Sequence, residues 1–195
     1  MDAIIEHLTA HHLTLVLDLD DTLLEGSFVQ GADSPVRHEM RELVRAAQRR
    51  GIDVQIVTMN SHSPKDISAY LAARGVDIPA DKIVNAGREG LKVSELRLLG
   101  DIMLIDDSKS VTDNWKARTQ HLPNMVTVHY QGDLVGDCMA AMSAAKPVGF
   151  SLGSPGAVAS TGRTQAPKPK KKSRPRRPPD EGGGAGQVLL HSLRF

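Results

Sequence analysis

Leu13-Thr14-Leu15-Val16-Leu17 is an apolar run of strand length that ends abruptly in Asp18-Leu19-Asp20-Asp21-Thr22. Such a run suits a strand buried on both faces, as in a parallel sheet covered by helices. Carboxylates at its carboxyl end then lie in the crevice where open α/β sheets bind ligands. Clustered carboxylates repel one another unless a cation, a proton or a hydrogen bond offsets the charge. One short stretch therefore constrains both the fold and the chemistry: it asks for a parallel sheet and for a partner to its acids.

The rest of the chain fits that frame up to about Ala145. A polar loop, Glu25 to Ser34, follows the first strand. Pro35 is expected to open a helix with Val36, Met40, Leu43, Val44 and Ala47 on one face, closed at Gly51. Val54 to Val57 reads as a second buried strand ending at Thr58-Met59-Asn60. Ser63-Pro64-Lys65-Asp66 has the form of an N-cap, a first-turn proline and a first-turn acid, with Ile67, Tyr70 and Leu71 as the apolar side and Gly75 as the stop. Ile83-Val84 is a short third strand, and Lys92 to Leu99 a short helix closed by Gly100. Ile102 to Ile105 is a fourth buried strand, again ending in acids, Asp106-Asp107, and then Ser108. Met125 to Val128 would be a fifth. Alternation of this kind predicts an α/β domain: a five-stranded, mostly parallel sheet with right-handed crossovers and helices on both faces.

Charge divides the chain. Of its 24 Lys/Arg and 23 Asp/Glu, nine basic and two acidic residues lie from Phe150 onward, so an acidic body carries a basic tail. The tail is rich in Ser, Gly, Ala and Pro and holds Lys168-Pro169-Lys170-Lys171-Lys172-Ser173-Arg174-Pro175-Arg176-Arg177. It cannot bury enough apolar surface to offset its ordering entropy. The expected division is a globular domain over residues 1–148 and a disordered tail over 149–195. Cys138 is the single cysteine, which excludes an intrachain disulfide and suits a reducing compartment. No run is long enough to span a bilayer and no signal-peptide pattern opens the chain, so the expectation is an intracellular monomer with no membrane partner.

Asp18, Asp20 and Thr22, then Thr58, then Lys92, then Asp106 and Asp107 recur at strand ends or a helix start. Together they resemble the haloacid dehalogenase (HAD) superfamily of phosphotransferases, whose motifs occur in this order: Asp-x-Asp-x-Thr after a strand, a strand ending in Ser or Thr, a lysine near a helix start, and an acidic pair after a strand. The resemblance spans Leu13 to Val128. It implies a Rossmann-like fold and Mg²⁺-dependent hydrolysis of a phosphomonoester through an aspartyl-phosphate. Asp18 would be the nucleophile and Asp20 the general acid and base. Thr22, Thr58, Asn60 and Lys92 would contact the phosphate. Asp18, the Asp20 main chain, Asp106 and Asp107 would hold the metal. Lys82 and Lys109 compete for the lysine position. Lys92 is preferred because it is expected to open the helix leading into the Asp106 strand.

Asp20 separates phosphatases from dehalogenases, which lack an acid there. Between Asp18 and Thr58 there is room for a loop and a helix but not for a large cap domain, and a capless site can accept a phosphate displayed on a macromolecule. Asp18-Leu19-Asp20-Asp21-Thr22-Leu23 is similar to the Asp-Leu-Asp-Glu-Thr-Leu of the FCP/SCP-like, NLI-interacting-factor-like phosphatases that act on the RNA polymerase II carboxy-terminal domain. Leu91 to Gly100 is similar to their lysine helix. Asp107 stands where many of them have Asn, and Lys109 where they have Pro. That resemblance implies a phosphoprotein substrate, with a polynucleotide 3′-phosphatase or a small-molecule phosphatase as the alternatives.

Two other classes share some of these features. A response-regulator receiver domain also uses Asp, Thr, Lys and Mg²⁺, but its acidic pair comes first and its phosphoacceptor later. A binding protein could keep the fold without turnover, with a tail that contacts nucleic acid. Lys168 to Arg177 suits a nuclear-import receptor or the phosphates of nucleic acid, which makes nucleus or cytoplasm the expected location.

Overall fold

The structure, a computed structural model, describes residues 1–29, 33–120, 122 and 125–145. The expected tail, its Lys168–Arg177 cluster and the boundary at 148/149 lie outside the described residues. Helix α1 (Asp2–Ala10) precedes β1 (Thr14–Leu17) and is followed by α2 (His38–Arg49), β2 (Val54–Thr58), α3 (Pro64–Ala72) and β3 (Ile83–Asn85). Then come α4 (Glu89–Leu96), β4 (Ile102–Asp106), α5 (Lys109–Thr119), β5 (Val126–His129) and α6 (Leu134–Ala144). The five strands form one sheet in the order β3-β2-β1-β4-β5, and every pairing is parallel. This is a Rossmann-like α/β fold. Among the described residues neither the β1–β2 nor the β2–β3 connection carries an inserted domain.

Period-two alternation assigns the two faces of the sheet. Leu15, Leu17, Ile56, Met103 and Ile105 belong to the core shared with α1, α2, α3 and α6. Val16, Val57, Ile102 and Leu104 face the other way, onto Val93 and Leu96 of α4 and Val111 and Trp115 of α5. The central strand is buried on both faces, which is why it reads as an unbroken apolar run.

Two local expectations need correction. Pro35 does not open α2. The Pro35 carbonyl accepts from Glu25 N at 2.8 Å, Arg37 N donates to the Leu23 carbonyl at 3.0 Å, and Leu24 bridges Val36 antiparallel. Those groups are committed across the loop, so helical geometry begins only at His38. Lys92 likewise does not open its helix: its N–H reaches the Arg88 carbonyl at 3.0 Å, one turn further back. Glu89 in the first turn favours that earlier start, because an acid suits the positive end of a helix. Helix α1 was not among the expected elements; its signal is Ile4, Ile5 and Leu8, all buried. The Ser63 cap on Asp66 N does form, with Pro64 as the first helical residue.

No helix among the described residues is long and apolar enough to cross a membrane.

The α4/α5 face can be tested directly, because Trp115 is the chain's only tryptophan and lies fully buried in that cluster. Leu96→Ala removes a neighbour from this packing and is expected to cost about 2–5 kcal/mol. Urea unfolding followed by Trp115 fluorescence should show a lower midpoint with an unchanged slope.

Candidate active site

At the end of β1, Leu17 pairs with Ile56 on one side and Ile105 on the other, and β2 and β4 run on to Thr58 and Asp106. Asp18 N continues the ladder, donating to the Ile105 carbonyl at 3.0 Å. The chain moves outward from β1 in one direction to β2 and in the other to β4, so this is a topological switch point, where α/β sheets leave a crevice. Val16 and Leu104 face α4 and α5. Asp18 and Asp106, two residues further on, share that face. Helix α4 brings Lys92 to it.

Lys92 is fully buried, as is Asp106, and Asp18 is 6% exposed. The Lys92 ammonium donates to Asp18 Oδ1 and lies 2.7 Å from Asp106 Oδ2. That second contact is a buried ion pair. Asp106 Oδ1 accepts from Ser108 N at 2.9 Å. A buried ammonium is costly unless paired. Here two carboxylates pair with it, and they outweigh the burial that would otherwise push its pKa down; the net shift is upward.

The carboxylates bear the opposite imbalance. Burial pushes Asp18 up to about 7; Lys92 opposes this and Asp106 adds to it. Burial also raises Asp106 against the pull of Lys92. One ammonium cannot satisfy two buried acids. Near neutrality the deficit is met by a proton or by a cation.

Asp107 is the third acid, and it is half-buried. The Thr22 hydroxyl donates to Asp107 Oδ1 at 3.0 Å and accepts from Asp107 N at 3.0 Å. Its one proton is thereby committed, so Thr22 grips Asp107 and has no donor left for a phosphate oxygen. His129, at the end of β5, bonds through Nε2 to the Asp107 carbonyl at 2.9 Å. A carbonyl only accepts, so Nε2 carries the proton.

Asp20 lies in the wide turn after β1. Leu24 N donates to the Leu19 carbonyl at 2.9 Å, a five-residue span, and Asp21 adopts φ 57 within it. Asp tolerates this left-handed conformation better than most residues. The Asp20 carboxylate accepts from Phe28 N and from Asn60 Nδ2, at 3.2 and 3.1 Å to its two oxygens. Asn60 Nδ2 also reaches the Phe28 carbonyl at 3.0 Å. Thr58 is buried, and its hydroxyl accepts from Asn60 N at 3.1 Å. Among the described residues no acceptor takes the Thr58 proton, which is free for a ligand oxygen.

The competing lysines stand elsewhere. Lys82 pairs with Asp53 at 2.8 Å, and Asp53 precedes β2, at the opposite edge of the sheet. Lys109 is exposed and paired with Asp113. Thr58, Asn60, Asp18, Asp20, Thr22, Lys92, Asp106 and Asp107 all lie at the carboxyl-terminal edge. His129 had no place in the sequence reading. The signal available was its position just after the fifth apolar run, in register with Asp106.

Asp18, Asp106 and Asp107 each offer one oxygen, and these lie within 4.8 Å of one another. The donors are all carboxylate oxygens, the ligand type of hard divalent cations such as Mg²⁺. Asp106 Oδ2 is buried and, among the described residues, is met only by the Lys92 ammonium, which leaves it further acceptor capacity. Three carboxylates against one ammonium leave a charge of −2 when all are ionised, and a divalent cation would cancel it. The residues fit the group.

No protein-family model matches the chain, and no curated protein matches it. Among solved structures, the hypothetical protein PH1952 from Pyrococcus horikoshii is similar at 20% identity and a TM-score of 0.33, over 59% of this chain and 41% of its own length. The HAD domain of the effector protein Lem4 from Legionella pneumophila, solved as an inactive mutant, is similar at 12% identity and a TM-score of 0.46, over 67% of this chain and 96% of that one.

The charge deficit has a measurable sign. The folded-state pKa of Asp18 lies above its ordinary 3.8, so folding takes up a proton there. The linked stability is complete below about pH 4 and is lost as pH rises through about 7. Asp18→Asn, which imitates the protonated acid, should raise the thermal midpoint of the metal-free protein at pH 8 and leave it nearly unchanged at pH 4.5. Scanning calorimetry in EDTA at the two pH values reads this directly.

Proposed function

We propose that the chain is a HAD-type, Mg²⁺-dependent phosphomonoester hydrolase working through an aspartyl-phosphate. The observation that carries the proposal is the state of Asp18. One of its oxygens is ion-paired to a fully buried lysine, while the other accepts no hydrogen bond from the described residues, at the end of the sheet beside two further acids.

Asp18, Asp106 and Asp107 would hold the cation, together with the Asp20 main-chain carbonyl. When bound, Mg²⁺ supplies a positive field that offsets the repulsion between a carboxylate and a phosphate. Lys92 keeps Asp18 oriented and shares the charge of the incoming phosphate. An Asp18 oxygen forms a bond to phosphorus as the bond to the leaving oxygen breaks. Asp20 gives that oxygen its proton. In the second half Asp20 takes a proton from water, which attacks the same phosphorus and restores Asp18 as phosphate leaves. Thr58 donates its free hydroxyl proton to a phosphoryl oxygen, and Asn60 holds Asp20 in place. Thr22 acts on Asp107 instead of on the phosphate.

The substrate proposed is a phosphoprotein, with catalysis of the carboxy-terminal-domain phosphatase type. Support comes from the short connections around the site, which leave a phosphate on a large molecule free to reach it, and from the Asp18–Leu23 and Leu91–Gly100 strings. A phosphate at the 3′ end of a polynucleotide meets the same open site.

Hydrolysis of p-nitrophenyl phosphate by the full chain, in MgCl₂ or EDTA, tests the chemistry. Turnover should require the cation and vanish in Asp18→Asn. Asp20→Asn should lower it by about 10²- to 10⁴-fold. Thr58→Val should cost about 10²- to 10³-fold, the usual loss for one donor to a developing anion. A folded, cation-binding protein without turnover would overturn the reading in favour of a binding protein. Phosphoserine peptides set against 3′-phosphorylated oligonucleotides then separate the substrate classes.

A further inference from the structure

Asp107 is the least buried of the three acids, and it is held from two sides. Its main-chain N–H and one carboxylate oxygen are both taken by the Thr22 hydroxyl, at 3.0 Å each, and its carbonyl by His129 Nε2 at 2.9 Å. Asp18 and Asp106, by contrast, are oriented by the buried ammonium of Lys92. The three acids therefore have two separate supports. One is ionic and lies beneath the site; the other is a hydrogen-bonded clamp at its side.

The clamp has particular chemistry. Thr22 reaches Asp107 across 85 residues of sequence and touches it at two points, N–H and Oδ1, through a single hydroxyl. That fixes both the peptide and the side-chain torsion with one atom. Oδ2 accepts no hydrogen bond from the described residues, so the clamp presents one oxygen to the site and withholds the other. His129 ties off the other end of the same residue. The register Asp106↔His129 between β4 and β5 puts the imidazole beside the Asp107 carbonyl.

We propose that Thr22 and His129 are positioning residues for the divalent cation: they act through Asp107, holding its free oxygen where Asp18 and Asp106 can share the ion with it. This rests on the cation site of the proposed function. Neither side chain touches substrate. Partners of metal ligands commonly contribute about 10- to 100-fold to metal affinity.

The test is cation affinity, measured without turnover. Thermal midpoints of the full-length protein are titrated with MgCl₂, and affinity is taken from the concentration dependence of the shift. The midpoint in EDTA reports the fold of each variant. Thr22→Val, which keeps the shape and removes the hydroxyl, should weaken Mg²⁺ binding about 10- to 100-fold, and Thr22→Ser should restore it to near the wild-type value. His129→Phe should weaken it, while His129→Gln, which retains a donor at similar reach, should weaken it less. Should Thr22→Val fail to fold, the His129 pair still decides. Folded Thr22→Val and His129→Phe variants with wild-type Mg²⁺ affinity overturn the positioning role and leave the proposed function standing. A wild-type protein whose midpoint does not respond to Mg²⁺ overturns the cation site itself, and the clamp with it.

Discussion

The buried contact of Lys92 with Asp18 and Asp106 organises the structure around it. A fully buried ammonium is tolerable because carboxylates meet it, and it in turn offsets part of their charge at the end of a buried sheet. The contact joins α4 to both β1 and β4, the strands on either side of the switch point. It leaves the cluster with more acid than base. That residue of negative charge is what makes the site selective for something positive, whether a proton or a divalent ion.

The rest of the site follows from regular geometry. Strand alternation brings Asp18 and Asp106 to one face, parallel pairing of β1, β2 and β4 sets Thr58 and the acids at one edge, and the Leu19–Leu24 turn folds Asp20 back toward Asn60. None of these needs a special residue except the turn itself, where Asp21 takes the left-handed conformation.

Much of this was legible in the sequence. Strands buried on both faces read as short apolar runs, and acids at their ends stand out because a core seldom holds charge. What was not legible depends on contacts distant in the chain. The helix start expected at Lys92 favours it over Lys82 but does not form; burial by α4 is what separates the two, and Lys82 goes to Asp53 instead. Thr22 reads as one more hydroxyl for a phosphate until Asp107, which takes both its donor and its acceptor, is seen beside it. His129 carries no motif and matters only through the register of β5 against β4. Pro35 satisfies every rule for opening a helix, yet the pairing of Leu24 with Val36 claims its neighbours first.

The order of strands in the sheet also bears on how the chain reaches this state. The central strand, β1, is made first, but one of its neighbours, β4, is the fourth to be made. Until Ile102–Asp106 arrives, a strand apolar on both faces has an open edge, and Asp18 has neither Lys92 nor Asp106 beside it. Closing so long a loop carries its entropic cost before the pairing repays it. During synthesis the nascent chain must therefore keep an aggregation-prone segment from other partners while most of the domain is still being made. The site and the last central pairing of the sheet come into being in the same event.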